Sequence, residues 1–152
     1  MDEVIYKEQI ENLSDYQRVA SDILQSAGDT KVFVLQGDLG AGKTTLVKSL
    51  CLLLGVSESV SSPSFSLVNE YKSTDPLLHP PNLSIYHLDL YRLASEQEAL
   101  NIGIEEILQS GNFCFVEWPE IIEQIIPLPI VVIQLRHLGA NSRSIQWKKV
   151  VQ

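Results

Sequence analysis

The sequence predicts an α/β fold of three layers, with a largely parallel central sheet and an antiparallel C-terminal hairpin. Short apolar runs suited to strands buried on both faces alternate with segments whose apolar residues recur at helical spacing. Residues 130–135 and 144–151 flank a glycine-containing turn at 139–141, as the two strands of a hairpin do. The chain of 152 residues has no internal repeat and no low-complexity tract, so a single domain over residues 1–152 is expected.

The first predicted helix begins near Ser14, because Ser14 and Gln17 have the spacing of a capping box. Apolar residues then recur every three or four positions as far as Gly28, which is placed to end the helix. The apolar run 31–35 follows and predicts a strand inside the sheet. A glycine-rich loop, 37–44, comes directly after that strand.

Beyond the loop, residues 44–54 predict a second helix, which Gly55 ends. Residues 64–71 predict a strand, and the prolines in the stretch 72–82 predict an irregular surface connection. Residues 83–88 predict the next strand, and residues 95–108 predict a helix that is interrupted near Gly103. Residues 112–116 predict a further strand, and residues 119–126 predict a short helix that begins with a proline.

The composition limits the ligands and the location to be expected. The formal net charge is −8 and the basic residues are scattered, whereas proteins that hold nucleic acid on their own typically carry a basic patch. No apolar run approaches the roughly 18 residues of a membrane span, and the N-terminus lacks a signal pattern, so a cytoplasmic location without a membrane partner is expected. Cys51 and Cys114 lie in apolar segments and are predicted to be buried thiols rather than a disulfide.

The loop matches the phosphate-binding pattern G-x-x-x-x-G-K-[ST] through Gly37, Gly42, Lys43 and Thr44. Glycines let successive backbone N–H groups point at anionic oxygens, and the following helix adds the positive end of its dipole. Lys43 is expected to reach the β and γ phosphates, and the Thr44 hydroxyl to reach Mg²⁺. A turn that merely joins a strand to a helix needs neither group. Mg-ATP is the favoured ligand, and the expected loop contacts are Leu39, Gly40, Ala41, Gly42, Lys43, Thr44 and Thr45.

Two acidic residues at strand ends are candidates to complete such a site. A loop of this kind needs a carboxylate at the C-terminal end of a neighbouring strand. Asp89 and Glu117 both follow apolar runs, and the run before Glu117 is the more apolar, which favours the more central position. Glu117 is therefore assigned to the metal and Asp89 to a metal-bound or attacking water. The alternative for each is an ordinary acidic residue at the end of a strand.

Three further residues have two interpretations each. Ser64, in Ser62-Pro63-Ser64, stands where switch segments often lie and is a candidate for contact with the γ-phosphate or Mg²⁺; a plain turn is the alternative. Trp118 is a candidate for stacking on a base or a partner, and a packing role is the alternative. His87 alternates with its strand neighbours, and a structural role is favoured over a catalytic one.

Four sequence blocks occur in order: residues 37–45, Ser62 to Phe65, His87 to Leu93, and Glu117 to Glu120. In this combination they resemble the TsaE (YjeE) family, small bacterial ATPases needed to make N6-threonylcarbamoyladenosine in tRNAs that read ANN codons. The resemblance covers nearly the whole chain and implies a P-loop NTPase fold. It also implies that Lys43 serves the phosphates, Thr44 and Glu117 serve Mg²⁺, and Asp89 is important for hydrolysis.

The resemblance further implies partners and contacts on the base side of the nucleotide. ATP hydrolysis in the family resets the TsaD and TsaB subunits that transfer the threonylcarbamoyl group, so tRNA is reached indirectly through that complex. Asn12, Leu13 and Ala140 are placed beside the base, and Trp118 belongs to a family motif. Ser64 departs from the usual threonine but keeps the hydroxyl.

Alternative functions remain open at the level of the sequence. A small-molecule kinase of the P-loop class usually needs a lid with several arginines, and no arginine cluster is visible, although Arg92 and Arg143 are candidates to contribute to one. A GTPase is disfavoured because the chain has no Asn-Lys-x-Asp motif. A nucleotide-dependent binding module with negligible turnover is the third alternative, and an ATPase assay with and without the two partners decides between them.

Overall fold

A computed structural model describes residues 4–63, 66–77 and 83–152 of the chain. In it, the apolar runs of the sequence form strands of a single sheet. The strands are β1 (Ile5–Ile10), β2 (Val32–Gln36), β3 (Val68–Lys72), β4 (Ser84–Asp89), β5 (Phe113–Glu117), β6 (Ile130–His137) and β7 (Arg143–Val150). The helices are α1 (Leu13–Ala27), α2 (Lys43–Leu53), α3 (Glu96–Asn101) and α4 (Ile104–Leu108), with a 3₁₀ turn at Pro119–Ile122.

The sheet has a parallel centre and antiparallel strands on both sides. Its strand order is β1-β7-β6-β2-β5-β4-β3. The pairs β6–β2, β2–β5 and β5–β4 are parallel, whereas β1–β7, β7–β6 and β4–β3 are antiparallel. The predicted C-terminal hairpin is therefore confirmed, and two further antiparallel pairs, β1–β7 and β4–β3, were not predicted. The connection from β3 to β4 contains no crossover helix among its described residues, and parallel strands need a long crossover.

The N-terminal strand β1 was not predicted from the sequence. Ile10 is its one buried side chain, so the segment lacks the apolar pattern of an internal strand. Its pairing comes from backbone hydrogen bonds to β7, in a register that runs from Ile5 opposite Lys148 to Ile10 opposite Arg143. β3 also begins later than predicted, at Val68; residues 64, 65 and 78–82 lie outside the described residues.

The start of α1 corrects the predicted cap. The cap is Asn12, whose side-chain oxygen accepts from the Asp15 N–H at 3.2 Å, while the Asp15 carboxylate accepts from the Asn12 N–H at 3.3 Å. Ser14 lies inside the helix instead, and its hydroxyl donates to Asn12. Asn12 and Asp15 form the reciprocal pair that the prediction assigned to Ser14 and Gln17.

Two predictions about the later helices have different outcomes. The expected interruption near Gly103 is confirmed, since α3 and α4 are separated there and Gly103 has a φ of 83°. The predicted helix over 119–126 is shorter than expected and forms a 3₁₀ turn that ends at Ile122. None of the helices in the described part of the chain is both long enough and apolar enough to cross a membrane.

Two apolar clusters lie on opposite faces of the sheet, because successive residues of a strand point to opposite sides. Phe33 and Leu35 of β2 join the cluster that α1 and α2 cover. Val32 and Val34 join the cluster that α3 and α4 cover. The described residues thus form three layers, as the sequence predicts, and β2 lies at their centre.

Both cysteines are free and buried, as expected, one in each cluster. Burial raises the pKa of each thiol from 9.0 to about 12.

We therefore expect the two thiols of the folded protein to react with a chromogenic disulfide reagent at mildly alkaline pH about a thousandfold more slowly than a free cysteine, because the thiolate is the reacting form. Unfolding in guanidinium should make both thiols react at once, with two equivalents of the reagent consumed per chain. Prompt release of either equivalent from the folded protein would contradict this prediction.

Candidate functional site

The glycine-rich loop joins β2 to α2 at the end of the sheet where the parallel strands finish. Gly42 precedes α2 with a φ of 102°, in the region that favours glycine. No side chain caps the start of α2, which leaves the N–H groups of its first turn without that kind of partner. A helix start of this kind combines free donors with the positive end of the dipole and is suited to an anion.

A cavity of about 610 Å³ opens beside the loop. It brings together most of the residues that the sequence assigned to a nucleotide or its metal: Asn12, Leu13, Leu39, Gly40, Gly42, Lys43, Thr44, Thr45, Asp89, Glu117, Trp118 and Ala140. Ala41 does not line the cavity, because its side chain is 1% exposed and packs into the core beneath the loop. Ser64 lies outside the described residues, whereas Ser62 is part of the lining.

The ammonium group of Lys43 is held at the centre of the site. Its Nζ donates to the carbonyl oxygen of Gly37 at 2.5 Å and lies 3.5 Å from the ring centroid of Trp118. Burial lowers the pKa of Lys43, and the carboxylates of Glu117 and Asp89 act in the opposite direction. A bound anion near Lys43 would therefore stabilise the charged form of this buried ammonium group.

Trp118 occupies an unusual backbone conformation directly after β5. Its φ is 57°, a left-handed value that is uncommon for a residue other than glycine. The side chain stacks over Lys43 and contacts the ring of Tyr91 at a centroid distance of 4.8 Å. The tryptophan therefore does more than fill the core, and its proposed contact with a base stays a prediction.

Glu117 is the most enclosed carboxylate of the site, since the residue is 3% exposed. The Thr44 hydroxyl lies 3.0 Å from Glu117 Oε2 and 3.2 Å from Oε1. On the other side, His87 Nε2 lies 2.5 Å from Glu117 Oε2. The first residues of α2 and the ends of β4 and β5 are thereby joined through one carboxylate.

Asp89 stands beside Glu117 on the next strand, where the register pairs the two residues. β5 lies between β2 and β4, so the more central position expected for Glu117 is confirmed. The Ser62 hydroxyl donates to Asp89 Oδ2 at 3.3 Å, and the Tyr91 N–H donates to Oδ1 at 3.1 Å. Asp89 is thus oriented at the edge of the cavity, and its assignment to an attacking water stays a prediction.

The oxygen atoms of Thr44 and Glu117 are the kind of ligand that Mg²⁺ prefers. The described residues contain no group of three or more acidic, histidine or cysteine side chains that could hold a metal alone. Mg²⁺ is usually bound by one or two protein groups together with phosphate oxygens and water, and its binding at Thr44 and Glu117 stays a prediction.

Tyr16 and Arg143 are cavity residues that were not among the predicted contacts to ATP or Mg²⁺. Tyr16 was predicted as part of the buried face of α1, but its hydroxyl lies against Gly42, where a Cβ would collide with it. Arg143 Nη2 donates to the Gly40 carbonyl oxygen at 3.4 Å. Both contacts join segments that are far apart in the chain, so neither helical spacing nor the loop motif signals them.

Comparison with known proteins gives consistent matches. Residues 10–145 match the family model described as TsaE, threonylcarbamoyl adenosine biosynthesis protein TsaE. Two relatives are described as tRNA threonylcarbamoyladenosine biosynthesis protein TsaE. The one from Rickettsia felis is 36% identical over 138 residues, which cover 88% of this chain and 74% of the relative. The one from Bacillus subtilis is 35% identical over 119 residues, which cover 78% of this chain and 70% of the relative. The crystal structure of YdiB from Bacillus subtilis is 28% identical, with a TM-score of 0.73 over 99% of this chain and 88% of that one.

The contact between Tyr16 and Gly42 predicts a specific cost for Gly42→Ala. A Cβ at this position meets the Tyr16 hydroxyl in addition to a strained φ, so the free energy of unfolding should fall by about 1–3 kcal/mol more than in Gly111→Ala. Gly111 is the matched control, because its φ is 81° and a Cβ added there would meet no other atom within 4 Å. Denaturant unfolding measures both variants.

Tyr16→Phe separates the collision from the backbone strain. Removing the hydroxyl from the Gly42→Ala variant should recover part of the lost stability, because the nearest remaining ring carbon is 3.3 Å from the added Cβ. Equal costs for Gly42→Ala and Gly111→Ala, or no recovery on adding Tyr16→Phe, would contradict the prediction.

Proposed function

The chain belongs to the TsaE family of threonylcarbamoyl adenosine biosynthesis proteins, and on this basis we propose that it is a Mg²⁺-dependent ATPase of the P-loop fold. In this proposal its ATPase supports the formation of N6-threonylcarbamoyladenosine in tRNA by acting on the threonylcarbamoyl transferase complex. The contact of Thr44 with Glu117, beside Lys43 and the uncapped start of α2, carries the assignment. It combines an anion site with a pair of oxygen ligands for a metal.

Each residue of the site has a distinct task in this proposal. The N–H groups at the start of α2 and the Lys43 ammonium bind the β and γ phosphates, while Thr44 and Glu117 bind Mg²⁺. When bound, Mg²⁺ supplies the neutralisation of charge on the phosphate oxygens. Asp89 orients the attacking water, and the contacts from Ser62 and Tyr91 keep its carboxylate in place.

The acidic surface supports a role that depends on protein partners. With a net charge of −8, the chain is poorly suited to grip tRNA by itself, so TsaD and TsaB are the proposed partners and tRNA is reached through them. The cytoplasm is the proposed location, because the modification acts on tRNA. Among the described residues that line the cavity, Arg143 is the one arginine, which does not favour the clamp of a small-molecule kinase.

We expect Lys43→Ala to weaken binding of a non-hydrolysable ATP analogue by about tenfold to a hundredfold, the range expected when a charge-assisted hydrogen bond is lost. Lys48→Ala is the matched control, because Lys48 is an exposed lysine of the same helix. Titration calorimetry measures both affinities. A change within about twofold for Lys43→Ala would exclude the proposed phosphate site.

We expect the rate of phosphate release from ATP to rise when TsaD and TsaB are added. Asp89→Asn should lower kcat while leaving ATP affinity near that of the wild type.

Glu117→Gln should raise the Mg²⁺ concentration that nucleotide binding requires. Glu105→Gln serves as the control, because it removes an exposed carboxylate on α4 that does not line the cavity. Phosphate transfer that strictly needs a small acceptor would favour the kinase, and no turnover with either partner would favour the binding module.

A further inference from the structure

His87 is a buried polar residue to which the proposed ATPase mechanism gives no task. It lies on β4 with 0% exposure, and its register partner on β5 is Phe115. Its ring is nevertheless polar on both sides. One nitrogen, Nε2, contacts the Glu117 carboxylate, and the other, Nδ1, has no hydrogen-bond partner among the described residues.

The direction of the hydrogen bond follows from the chemistry of the pair. An ionised carboxylate has no proton to donate, so His87 Nε2 carries the proton and donates it to Glu117 Oε2. A buried Nδ1 without a partner disfavours histidine at this position, and an apolar side chain would fill the same space without that cost. The contact with Glu117 is therefore the feature that accounts for an imidazole here.

Thr44 alone does not distinguish the two oxygens of Glu117. Its hydroxyl has one proton and lies at nearly equal distances from both oxygens, 3.0 and 3.2 Å. Rotation of the carboxylate about its terminal bond would exchange the two oxygens and keep the Thr44 contact. His87 contacts Oε2 at 2.5 Å, and this contact makes the two oxygens inequivalent.

We propose that His87 is a positioning residue that fixes Glu117 Oε2 and so reserves Oε1 for Mg²⁺ or a Mg²⁺-bound water. This inference rests on the proposed Mg-ATP function of the site. The residue acts through Glu117 and touches neither nucleotide nor metal. Partners of this kind typically change metal affinity by about tenfold to a hundredfold when they are removed.

The test separates the metal from the nucleotide. Binding of a non-hydrolysable ATP analogue is measured by calorimetry in EDTA and then across a Mg²⁺ titration, for wild type, His87→Leu, His87→Gln and His87→Asn. In EDTA, His87→Leu should bind within about twofold of wild type, because Lys43 and the loop are intact. Its half-maximal Mg²⁺ concentration should rise by about tenfold or more.

The amide variants make the test independent of packing. A glutamine amide can replace Nε2–H, so His87→Gln should restore a Mg²⁺ requirement near that of wild type. Asparagine is too short to reach Glu117 from this position, so His87→Asn should behave like His87→Leu. If His87→Leu does not fold, the difference between the glutamine and asparagine variants decides. Ile85→Val, a buried change on the same strand, controls for disturbance of the core, and thermal unfolding without nucleotide checks each variant.

Two results would overturn the inference. One is an unchanged Mg²⁺ requirement in folded His87→Leu or, failing that, in His87→Asn. The other is an equal loss of affinity with and without Mg²⁺, which indicates a purely structural role. The proposed function fails separately, since in that case wild type itself would bind no nucleotide even with Mg²⁺ present.

Discussion

The arrangement of the site depends on one constraint, which is that a carboxylate enclosed by protein must be surrounded by partners. Glu117 is 3% exposed, and an unpartnered charge at that depth would cost several kcal/mol. Thr44 and His87 donate to it, and Lys43 lies close enough for the charge of Glu117 to affect its pKa. These groups come from α2, β4 and the end of β5, so compensating one charge fixes the relative positions of three elements of the fold.

The parallel centre of the sheet makes this compensation possible. Parallel strands end at the same edge, and β2, β5 and β4 deliver the glycine-rich loop, Glu117 and Asp89 to neighbouring positions. The same edge holds a lysine whose charge is disfavoured by burial and supported by the two carboxylates. One ammonium faces two carboxylates here, so the proposed phosphates would need the proposed Mg²⁺ beside Thr44 and Glu117 to balance their added negative charge.

The sequence predicted the features that depend on local pattern, and the structure adds those that depend on distant segments. The apolar run before Glu117, the loop motif and the periodicity of α2 are local, and Lys43, Thr44, Asp89 and Glu117 consequently lie together as expected. The strand β1 and the antiparallel pairing of β3 depend on which sheet edge is free, which no local pattern records. The cap at Asn12 was missed because two short side chains compete with an equally plausible pair close by in the sequence. Likewise, the contact of Tyr16 with Gly42 exists only after α1 has packed against the loop.

The position of β1 has a consequence for how copies of this protein behave in solution. Without it, residues 143–148 of β7 would have no partner strand on one side, and such an open edge is a template for the addition of a strand from another molecule. β1 covers that edge and replaces it with a shorter outer strand that carries Lys7 and Glu8. Charged residues on a short edge oppose strand addition, so β1 protects the protein against aggregation at this edge.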